Sequence, residues 1–213
     1  MTKLLFVRHG QSMANLDAVF AGHYDVDLSD LGYRQAEKTA EYIISEYDVD
    51  VIYASDLKRA YKTAKSLADK FGMDVIKTKG MREIQCGEWD GKKFSELLEI
   101  FPDSYGQWVC DIGNAKCPGG ESVCELEERI MRTVREIAEE NDGKTVVIAT
   151  HATPIRIMQT RWQGMDLSHM KDVAWVSNAS VTVVDFDGEE FKIERAGYDA
   201  HLADIKTKLP PNV

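Results

Sequence analysis

Basic and imidazole side chains lie at or shortly after the ends of three apolar runs that are long enough to form buried strands. Arg8 and His9 follow the first run, Arg59 lies in the first turn of a predicted helix after the second, and His151 follows the third. In an open parallel sheet, ligands bind at the carboxyl ends of the strands, where helix amino termini also point. We therefore expect these four side chains to meet at one edge of a sheet.

Two guanidinium groups beside two imidazoles predict a site for a phosphoryl group. Arginine makes bidentate contacts with phosphate oxygens and stays charged at any relevant pH. An imidazole, whose pKa is near ~6.5, is substantially neutral at about pH 7, and its free nitrogen can attack phosphorus. Because the transferring group carries its charge on the equatorial oxygens, the other donors would mainly position and stabilise it. The chemistry indicated is phosphoryl transfer through a histidine.

The leaving alkoxide needs a general acid, and the segment MREIQCGEWDG at residues 81–91 supplies two candidates. Glu83 and Glu88 both lie beside apolar side chains, which favour the neutral form of a carboxyl group. The residues alone leave the choice between the two carboxyl groups open.

Strand and helix patterns alternate along the chain. Strand character is present in the runs 4–7, 49–54, 75–76 and 145–150. Apolar residues recur at helical spacing in the stretches 29–44, 56–72 and 121–141. The alternation predicts an α/β fold, a three-layer α/β/α sandwich with a mostly parallel central sheet.

Helix-start signals place two helix amino termini at the same edge of the sheet. Ser55 or Asp56 is predicted to cap the helix that bears the second arginine. Thr153 is predicted to cap another helix, with Pro154 at its first position. The free amides of a helix amino terminus add positive potential, which favours an anionic ligand.

One domain spanning residues 1–213 is expected, because this length suits a single hydrophobic core. The segment at about 83–120 is longer than a simple α/β connection and is predicted to be an insertion over the active-site edge of the sheet. Alternation with a period of two around Asp187-Gly188 predicts a β-hairpin. The tail 206–213 is predicted to be frayed.

The composition excludes several classes of function. A formal net charge of −10 argues against nucleic acid or an acidic membrane surface as the main partner, so local cations must hold any anionic ligand. No apolar run approaches the roughly 20 residues that span a bilayer, and no signal-peptide pattern is present, so a cytoplasmic location is expected. The four cysteines lack the spacing of a zinc site and are expected to be free thiols.

Six blocks in a fixed order resemble the histidine phosphatase superfamily, in the branch that contains cofactor-dependent phosphoglycerate mutase and related phosphatases. The blocks are RHGQSMAN (8–15), DLSDLGYRQA (27–36), SDLKRAYKTA (55–64), REIQCGEWDG (82–91), PGGES (118–122) and THATPIR (150–156). The resemblance covers most of the chain and implies a phosphoglycerate mutase-like fold.

The resemblance assigns a role to each of the residues that could do chemistry. It implies that His9 is the nucleophile that becomes phosphorylated. Glu83, rather than Glu88, would be the proton donor and then the base that activates water. The phosphoryl group would be held by Arg8, Arg59 and His151.

Further substrate contacts are implied by the same blocks. Asn15 matches an asparagine that lies against the phosphate site, and Gln11 and Ser12 are weaker candidates for contact. Ala152 stands where glycine is common, which predicts a slightly narrower pocket in which the amide of residue 152 still donates. Neither a metal nor a cofactor is expected.

The activity implied is that of a metal-independent phosphatase acting on a small phosphorylated metabolite. The chain between the acid and the second histidine is short, whereas mutases carry longer basic and proline-rich stretches there. A cofactor-dependent phosphoglycerate mutase and a non-catalytic phospho-ligand binding module are the alternatives. The identity of the substrate and the oligomeric state, with a homodimer as one option, are left open.

Other residues that commonly serve in sites are expected to have structural roles here. His23, His169 and His201 have no supporting constellation around them in the sequence. Three aromatic residues of the predicted insertion could either line the substrate mouth or pack in the core: Trp89, Tyr105 and Trp108.

Overall fold

The computed structural model describes residues 1–207 and contains one six-stranded sheet. Its strands are β1 (Thr2–Arg8), β2 (Val51–Ser55), β3 (Val75–Thr78), β4 (Thr145–Thr150), β5 (Val181–Phe186) and β6 (Phe191–Tyr198). They lie in the order β3-β2-β4-β1-β5-β6. The first four are parallel, while β5 pairs antiparallel with β1 and β6 with β5. The prediction of a mostly parallel central sheet is confirmed.

Helices occupy most connections between the strands. The α-helices are α1 (Met13–Leu16), α2 (Asp30–Glu46), α3 (Lys58–Phe71), α4 (Phe94–Ile100), α5 (Pro102–Cys110), α6 (Val123–Glu140) and α7 (Ala152–Trp162). Short 3₁₀ helices cover Lys79–Met81, Gly87–Trp89, Ile112–Asn114, Leu167–Asp172 and Ala200–Ile205. The three long periodic stretches of the sequence correspond to α2, α3 and α6.

Side chains alternate between the two faces of each strand, so each helical layer packs on its own set of residues. Leu4 and Phe6 of β1 are buried in a core shared with α6 and α7. Leu5 and Val7 of the same strand are buried in a second core, shared with α2 and α3. The fold is therefore the three-layer α/β/α sandwich that the sequence predicts.

Side-chain caps and a glycine define the ends of the long helices. Ser29 caps α2 by accepting a hydrogen bond from the amide of Gly32, and Ser122 caps α6 by accepting one from the amide of Glu125. Gly72 ends α3 in the left-handed conformation, with φ of 67°. A residue with a Cβ is strained at this φ, which explains why glycine occupies the position.

The two helix caps predicted near the site are wrong. Helix α3 begins after Leu57 without a side-chain cap. Asp56 is instead paired with Arg82, whose Nε lies 2.6 Å from Asp56 Oδ1. Helix α7 begins directly after His151, so Pro154 occupies its third position rather than its first. Because β4 leads into α7 with a single residue between them, Thr153 already lies inside the helix.

The segment 83–120 contains α4, α5 and two of the 3₁₀ helices. It contributes Ile84, Leu97 and Ile112 to the same core that α6 and α7 cover. Trp89 is fully buried in this core, which makes it a packing residue. The segment is therefore anchored to one face of the sheet through its own hydrophobic side chains.

The end of the chain forms the predicted hairpin. Strands β5 and β6 pair antiparallel across the turn at Asp187-Gly188. Of the tail predicted to be frayed, residues 208–213 lie outside the described part of the chain. Within residues 1–207, no helix combines the length and the hydrophobicity that crossing a membrane requires. The four cysteines are free thiols, as expected.

The packing of α6 on the sheet predicts a large cost for shortening Ile130, which is fully buried. Ile130→Ala should lower the free energy of unfolding by about 2–5 kcal/mol, because it removes buried carbon atoms and leaves a cavity. Urea denaturation followed by circular dichroism measures the change. Glu128→Ala, at an exposed position of the same helix, is the control and should change this free energy by less than about 0.5 kcal/mol. Equal effects of the two substitutions would contradict this packing.

Candidate active site

A cavity of about 230 Å³ lies at the carboxyl ends of β1, β4 and β2, which are neighbours in the sheet. The predicted site residues in its walls come from several parts of the chain: Arg8, His9, Gln11, Ser12, Asn15, Arg59, Glu83 and Ala152. His151 lies against His9, with the two ring centroids 5.2 Å apart. The structure thus brings all the predicted site residues together.

His9 is oriented by the main chain of the next residue. Its Nδ1 lies 2.7 Å from the carbonyl oxygen of Gly10. Because a carbonyl oxygen only accepts, Nδ1 carries the hydrogen and a neutral ring keeps its lone pair on Nε2. Burial, together with the charges of Arg59 and Arg8, holds the pKa of His9 well below 6.5. The ring is therefore neutral at physiological pH, with one nitrogen free to act as a nucleophile.

The loop that carries His9 packs directly on the amino terminus of α2. A Cβ added to Gly10 would lie 2.4 Å from the carbonyl oxygen of Gly32, and one added to Gly32 would lie 2.0 Å from that of Gln11. The amide of Gly10 also donates to Thr63 Oγ1 of α3 over 3.0 Å. Glycine at both positions permits this close approach, which fixes the histidine loop between two helices.

His151 is fully buried and is held by a residue from the neighbouring strand. Its Nε2 lies 2.8 Å from Ser55 Oγ, at the end of β2. Within the described residues its Nδ1 is buried without a hydrogen-bond partner. Burial, and then the charge of Arg59, holds the pKa of His151 well below 6.5. A buried polar atom without a partner is unfavourable, so this nitrogen favours a ligand beside His9.

The two arginines of the cavity are buried, and main-chain carbonyl oxygens accept hydrogen bonds that water would otherwise accept. Arg59 donates to three carbonyl oxygens of the loop 21–24 over 2.9–3.1 Å. Arg8 donates through Nη1 to the carbonyl of Val176, while its buried Nε has no partner in the described chain. Burial lowers the pKa of Arg8 to about 10 and also lowers that of Arg59, and the nearby Glu83 opposes both changes. Both groups stay cationic at neutral pH and form a site for an anion.

Glu83 is the acidic residue of the cavity wall. Only 8% of its surface is exposed. Its Oε1 accepts from the amide of Ile84 over 2.8 Å, and its Oε2 accepts from the amide of Thr153, at the start of α7, over 3.2 Å. Glu88 is exposed and lies outside the cavity wall. Of the two candidate acids, position favours Glu83.

Two residues that the sequence did not mark hold the main chain of Glu83. Arg129 of α6 donates through Nη2 to the carbonyl of Glu83 over 3.2 Å, and Nε2 of His23 lies 3.1 Å from the same oxygen. The same Arg129 nitrogen pairs with Glu121 at 2.8 Å. The sequence of an amphipathic helix does not show whether an arginine on it binds main-chain carbonyls or is exposed to solvent. His23 was expected to be structural, and its contact with the main chain fits that role.

The side-chain oxygen of Asn15, Oδ1, already accepts three hydrogen bonds within the protein. It accepts from the amide and the hydroxyl of Ser12 over 3.0 Å and from Nδ2 of Asn178 over 3.2 Å. The NH₂ group of Asn15 is therefore the part left for a ligand, whereas the Ser12 hydroxyl is already used. Asn178 also lines the cavity and donates to the carbonyl of His9 over 3.1 Å. Sequence reasoning missed Asn178, whose only signal is the polar turn at 177–180.

The two remaining predicted substrate contacts, Gln11 and Ala152, differ in how much of their hydrogen-bonding capacity is left for a ligand. Oε1 of Gln11 accepts from Ser29 Oγ over 2.8 Å, and the amide of Gln11 donates to Gln35 Oε1 over 2.8 Å, so this residue is partly engaged by α2. Ala152 is the first residue of α7. Ala152 lines the cavity, and its amide is one of the first-turn groups that have no acceptor within a helix, at the positive end of the helix dipole.

Aromatic side chains line the rest of the cavity. Tyr105 and Trp108 are among them, which resolves the ambiguity in favour of a cavity position for these two residues. Phe20, Phe94 and Trp175 contribute further rings. His169 and His201 do not line the cavity, as expected for structural residues.

The site combines two neutral imidazoles, two guanidinium groups, a helix amino terminus and one carboxyl group. This set suits an anion that carries a transferable group, with one imidazole as nucleophile and the carboxyl as proton carrier. In residues 1–207 no three or more His, Cys, Asp or Glu side chains are grouped so that they could hold a metal ion.

The family model described as histidine phosphatase superfamily (branch 1) matches residues 4–199. The chain is 33% identical over 205 residues to phosphoserine phosphatase 1 of Hydrogenobacter thermophilus, which covers 96% of each protein. It is 29% identical over 207 residues to the metal-independent phosphoserine phosphatase of Arabidopsis thaliana, covering 96% of this chain and 85% of the relative. A solved structure, the phosphoserine phosphatase of Entamoeba histolytica in complex with 3-phosphoglyceric acid, superposes with a TM-score of 0.82 at 27% identity, covering 95% of this chain and 100% of that one.

The neutral, buried state of His151 predicts a pH-dependent stability. Its pKa in the folded protein lies well below 6.5, so below that pH the unfolded chain binds a proton that the folded chain does not, and stability falls as pH falls. The free energy of unfolding should fall between about pH 7.5 and about pH 5.5 in the wild type. In His151→Gln this fall should be smaller by about 1 kcal/mol. Urea denaturation at both pH values measures the difference.

Each variant is compared with itself at the two pH values, so a change in the free energy of unfolding that does not depend on pH cancels. Gln107→Ala, which replaces an exposed side chain without a titratable group, is the control and should follow the wild-type pH dependence. A loss of stability in His151→Gln equal to that of the wild type would show that His151 is not held neutral.

Proposed function

The chain belongs to branch 1 of the histidine phosphatase superfamily, and on that premise we propose that it is a phosphomonoesterase that acts on a small phosphorylated metabolite through a phosphohistidine on His9. The observation that carries the proposal is the contact of His9 Nδ1 with the carbonyl of Gly10, which leaves the Nε2 lone pair beside two buried arginines. The names of the relatives, both phosphoserine phosphatases, support hydrolysis as the net reaction.

In the first step, Nε2 of His9 attacks phosphorus, and the bond from phosphorus to the leaving oxygen breaks as the N–P bond forms. Glu83 in its neutral form gives its proton to that oxygen, so the product leaves as an alcohol. Arg8 and Arg59 meet the charge on the equatorial oxygens. If Ser55 donates to Nε2 of His151, then Nδ1 of His151 carries a hydrogen and donates to the same group.

In the second step, water attacks the phosphohistidine. Glu83, now ionised, takes a proton from the water and so returns to its neutral form. The N–P bond breaks, and its electron pair returns to Nε2 of His9, which leaves inorganic phosphate in the cavity. The balanced cycle consumes one water for each alcohol and phosphate released.

The proposed cycle needs neither a metal nor a cofactor. A divalent ion commonly neutralises phosphoryl oxygens in other enzymes. Here two buried guanidinium groups and the amino terminus of α7 would supply that positive charge. The name of one relative, a metal-independent phosphatase, supports the same reading.

Replacing the proposed nucleophile tests the proposal directly. His9→Ala should reduce kcat for p-nitrophenyl phosphate by more than about 1,000-fold, because the covalent path is lost. Phosphate release measures turnover, and a radiolabelled substrate followed by rapid quenching in alkali should label the wild type on histidine and leave the variant unlabelled.

Turnover by His9→Ala at the wild-type rate would overturn the assignment of the nucleophile. Circular dichroism of the variant separates loss of chemistry from loss of fold. If the wild type instead isomerises a phosphoglycerate in the presence of a bisphosphorylated glycerate faster than it releases phosphate, the protein is a mutase rather than a phosphatase.

A matched pair of substitutions tests the proton carrier. Glu83→Gln should lower kcat for an alkyl phosphate by about 100-fold to 10,000-fold, since the leaving alkoxide then receives no proton. With p-nitrophenyl phosphate, whose leaving group needs no acid, the variant should release a burst of about one equivalent of nitrophenolate before slow hydrolysis of the phosphohistidine. Glu88→Gln, in the same segment but exposed, should match the wild type; the reverse pattern would assign the role to Glu88.

A further inference from the structure

We propose that the alcohol portion of the substrate is apolar, an aromatic or bulky alkyl group, and that it carries no carboxylate. This inference deepens the proposed function and depends on it. Two independent observations carry it: a preformed aromatic surface lines the part of the cavity that the alcohol portion must occupy, and the cations of the described cavity wall are the two at the proposed phosphoryl position.

The aromatic wall, defined here as Phe20, Phe94, Tyr105 and Trp108, is a single packed unit. The ring centroid of Phe20 lies 5.6 Å from that of Phe94 and 5.3 Å from that of Trp108. Behind the wall, the fully buried Trp89 has its ring centroid 5.5 Å from that of Tyr105 and 5.8 Å from that of Trp108. Because these rings already pack on one another, an apolar ligand gains contact area without the entropic cost of ordering them.

Trp175 adds another aromatic surface, from the loop before β5. Its ring is held by Arg156, whose Cζ lies 4.3 Å from the ring centroid. Arg156 also donates through Nε to the carbonyl of Val173 over 2.7 Å and through Nη2 to that of Lys171 over 3.1 Å. This arginine is buried outside the cavity wall, so its charge orients an indole and does not meet the substrate.

Small and aliphatic side chains continue the apolar surface at the opening of the cavity. Leu16, Ala18 and Val19 line it from the end of α1 and the residues that follow. Leu16 is 58% exposed, which places it at the rim. An exposed leucine at the edge of an apolar cavity extends the surface that an apolar ligand can cover.

The charges of the described cavity wall are confined to its phosphoryl end. Arg8 and Arg59 are its cations and Glu83 is its anion. Within residues 1–207, the wall offers no counter-charge to a carboxylate on the alcohol portion. A carboxylate that loses water without a partner is strongly disfavoured. The net charge of −10 adds long-range repulsion to any second anionic group.

The proposed apolar substrate differs from phosphoserine, the substrate in the names of two relatives. Phosphoserine carries a carboxylate and an ammonium group on the part that leaves, and each needs a polar or charged partner. Two polar side chains of the described wall already use an oxygen atom within the protein: Ser12 Oγ donates to Asn15 Oδ1, and Gln11 Oε1 accepts from Ser29 Oγ. The aromatic wall instead binds most favourably a group that forms no hydrogen bonds.

Three substrates with similar alkyl leaving groups test the inference: 2-phenylethyl phosphate, glycerol 3-phosphate and O-phosphoserine. Because all three release a primary alcohol, differences in kcat/KM report on binding of the alcohol portion rather than on leaving-group chemistry. We expect kcat/KM for 2-phenylethyl phosphate to exceed that for O-phosphoserine by at least about tenfold, with glycerol 3-phosphate between them. O-phosphoserine hydrolysed as efficiently as 2-phenylethyl phosphate would overturn the inference.

A substitution at the rim tests the physical reason. Leu16→Arg should raise kcat/KM for O-phosphoserine by several-fold and lower it for 2-phenylethyl phosphate, because it adds the missing counter-charge and removes apolar surface. Leu98→Arg is the matched control, since Leu98 is 56% exposed and lies outside the cavity wall. The control should leave both values unchanged, and equal effects of the two variants would contradict the assigned position of the alcohol portion.

The outcomes separate failure of this inference from failure of the proposed function. If none of the three substrates nor p-nitrophenyl phosphate releases phosphate, the proposed phosphatase activity itself is wrong. If phosphate is released but O-phosphoserine is preferred, the activity stands and the apolar substrate class is wrong.

Discussion

Burial of arginine and histidine side chains at the carboxyl ends of three parallel strands is the constraint on which the rest of the site depends. A guanidinium group that leaves water needs other hydrogen-bond acceptors, and Arg59 finds them in the carbonyls of the loop 21–24. His9 and His151 meet the same constraint differently, because burial and the neighbouring guanidinium charges keep both imidazoles neutral. The site is therefore a concentration of positive potential around two uncharged imidazoles.

The same constraint couples the site to both helical layers. Thr63 of α3 accepts a hydrogen bond from the amide of Gly10, next to His9, and the amide of Thr153 in α7 donates to the carboxylate of Glu83. Arg129 of α6, in the same layer as α7, donates to the main-chain carbonyl of Glu83. Because the loop of His9 is held by α3 and Glu83 is held by α6 and α7, packing of the two helical layers on the sheet sets the distance between these two residues.

The cavity is divided into a polar part and an aromatic part, to which the proposed mechanism gives separate tasks. In the proposed mechanism the polar part contacts only the phosphoryl group, so it would suit any phosphate monoester. The aromatic part belongs largely to the segment 83–120, which carries Phe94, Tyr105 and Trp108. Relatives that share the polar part need not share the aromatic part, so a common mechanism across the family is compatible with different substrates.

The sequence by itself determined the sandwich and the meeting of Arg8, His9, Arg59 and His151, because strand and helix periods are local and parallel strands bring their carboxyl ends to one edge. Only the tertiary structure decided that Ser55 holds an imidazole instead of capping a helix, and that Asn178 joins the site. These contacts connect residues about a hundred or more positions apart, and no local pattern records which polar side chains meet across such distances. It likewise decided that Trp89 packs in the core while Trp108 faces the cavity, since two indoles in one segment differ only in what the rest of the fold places against them.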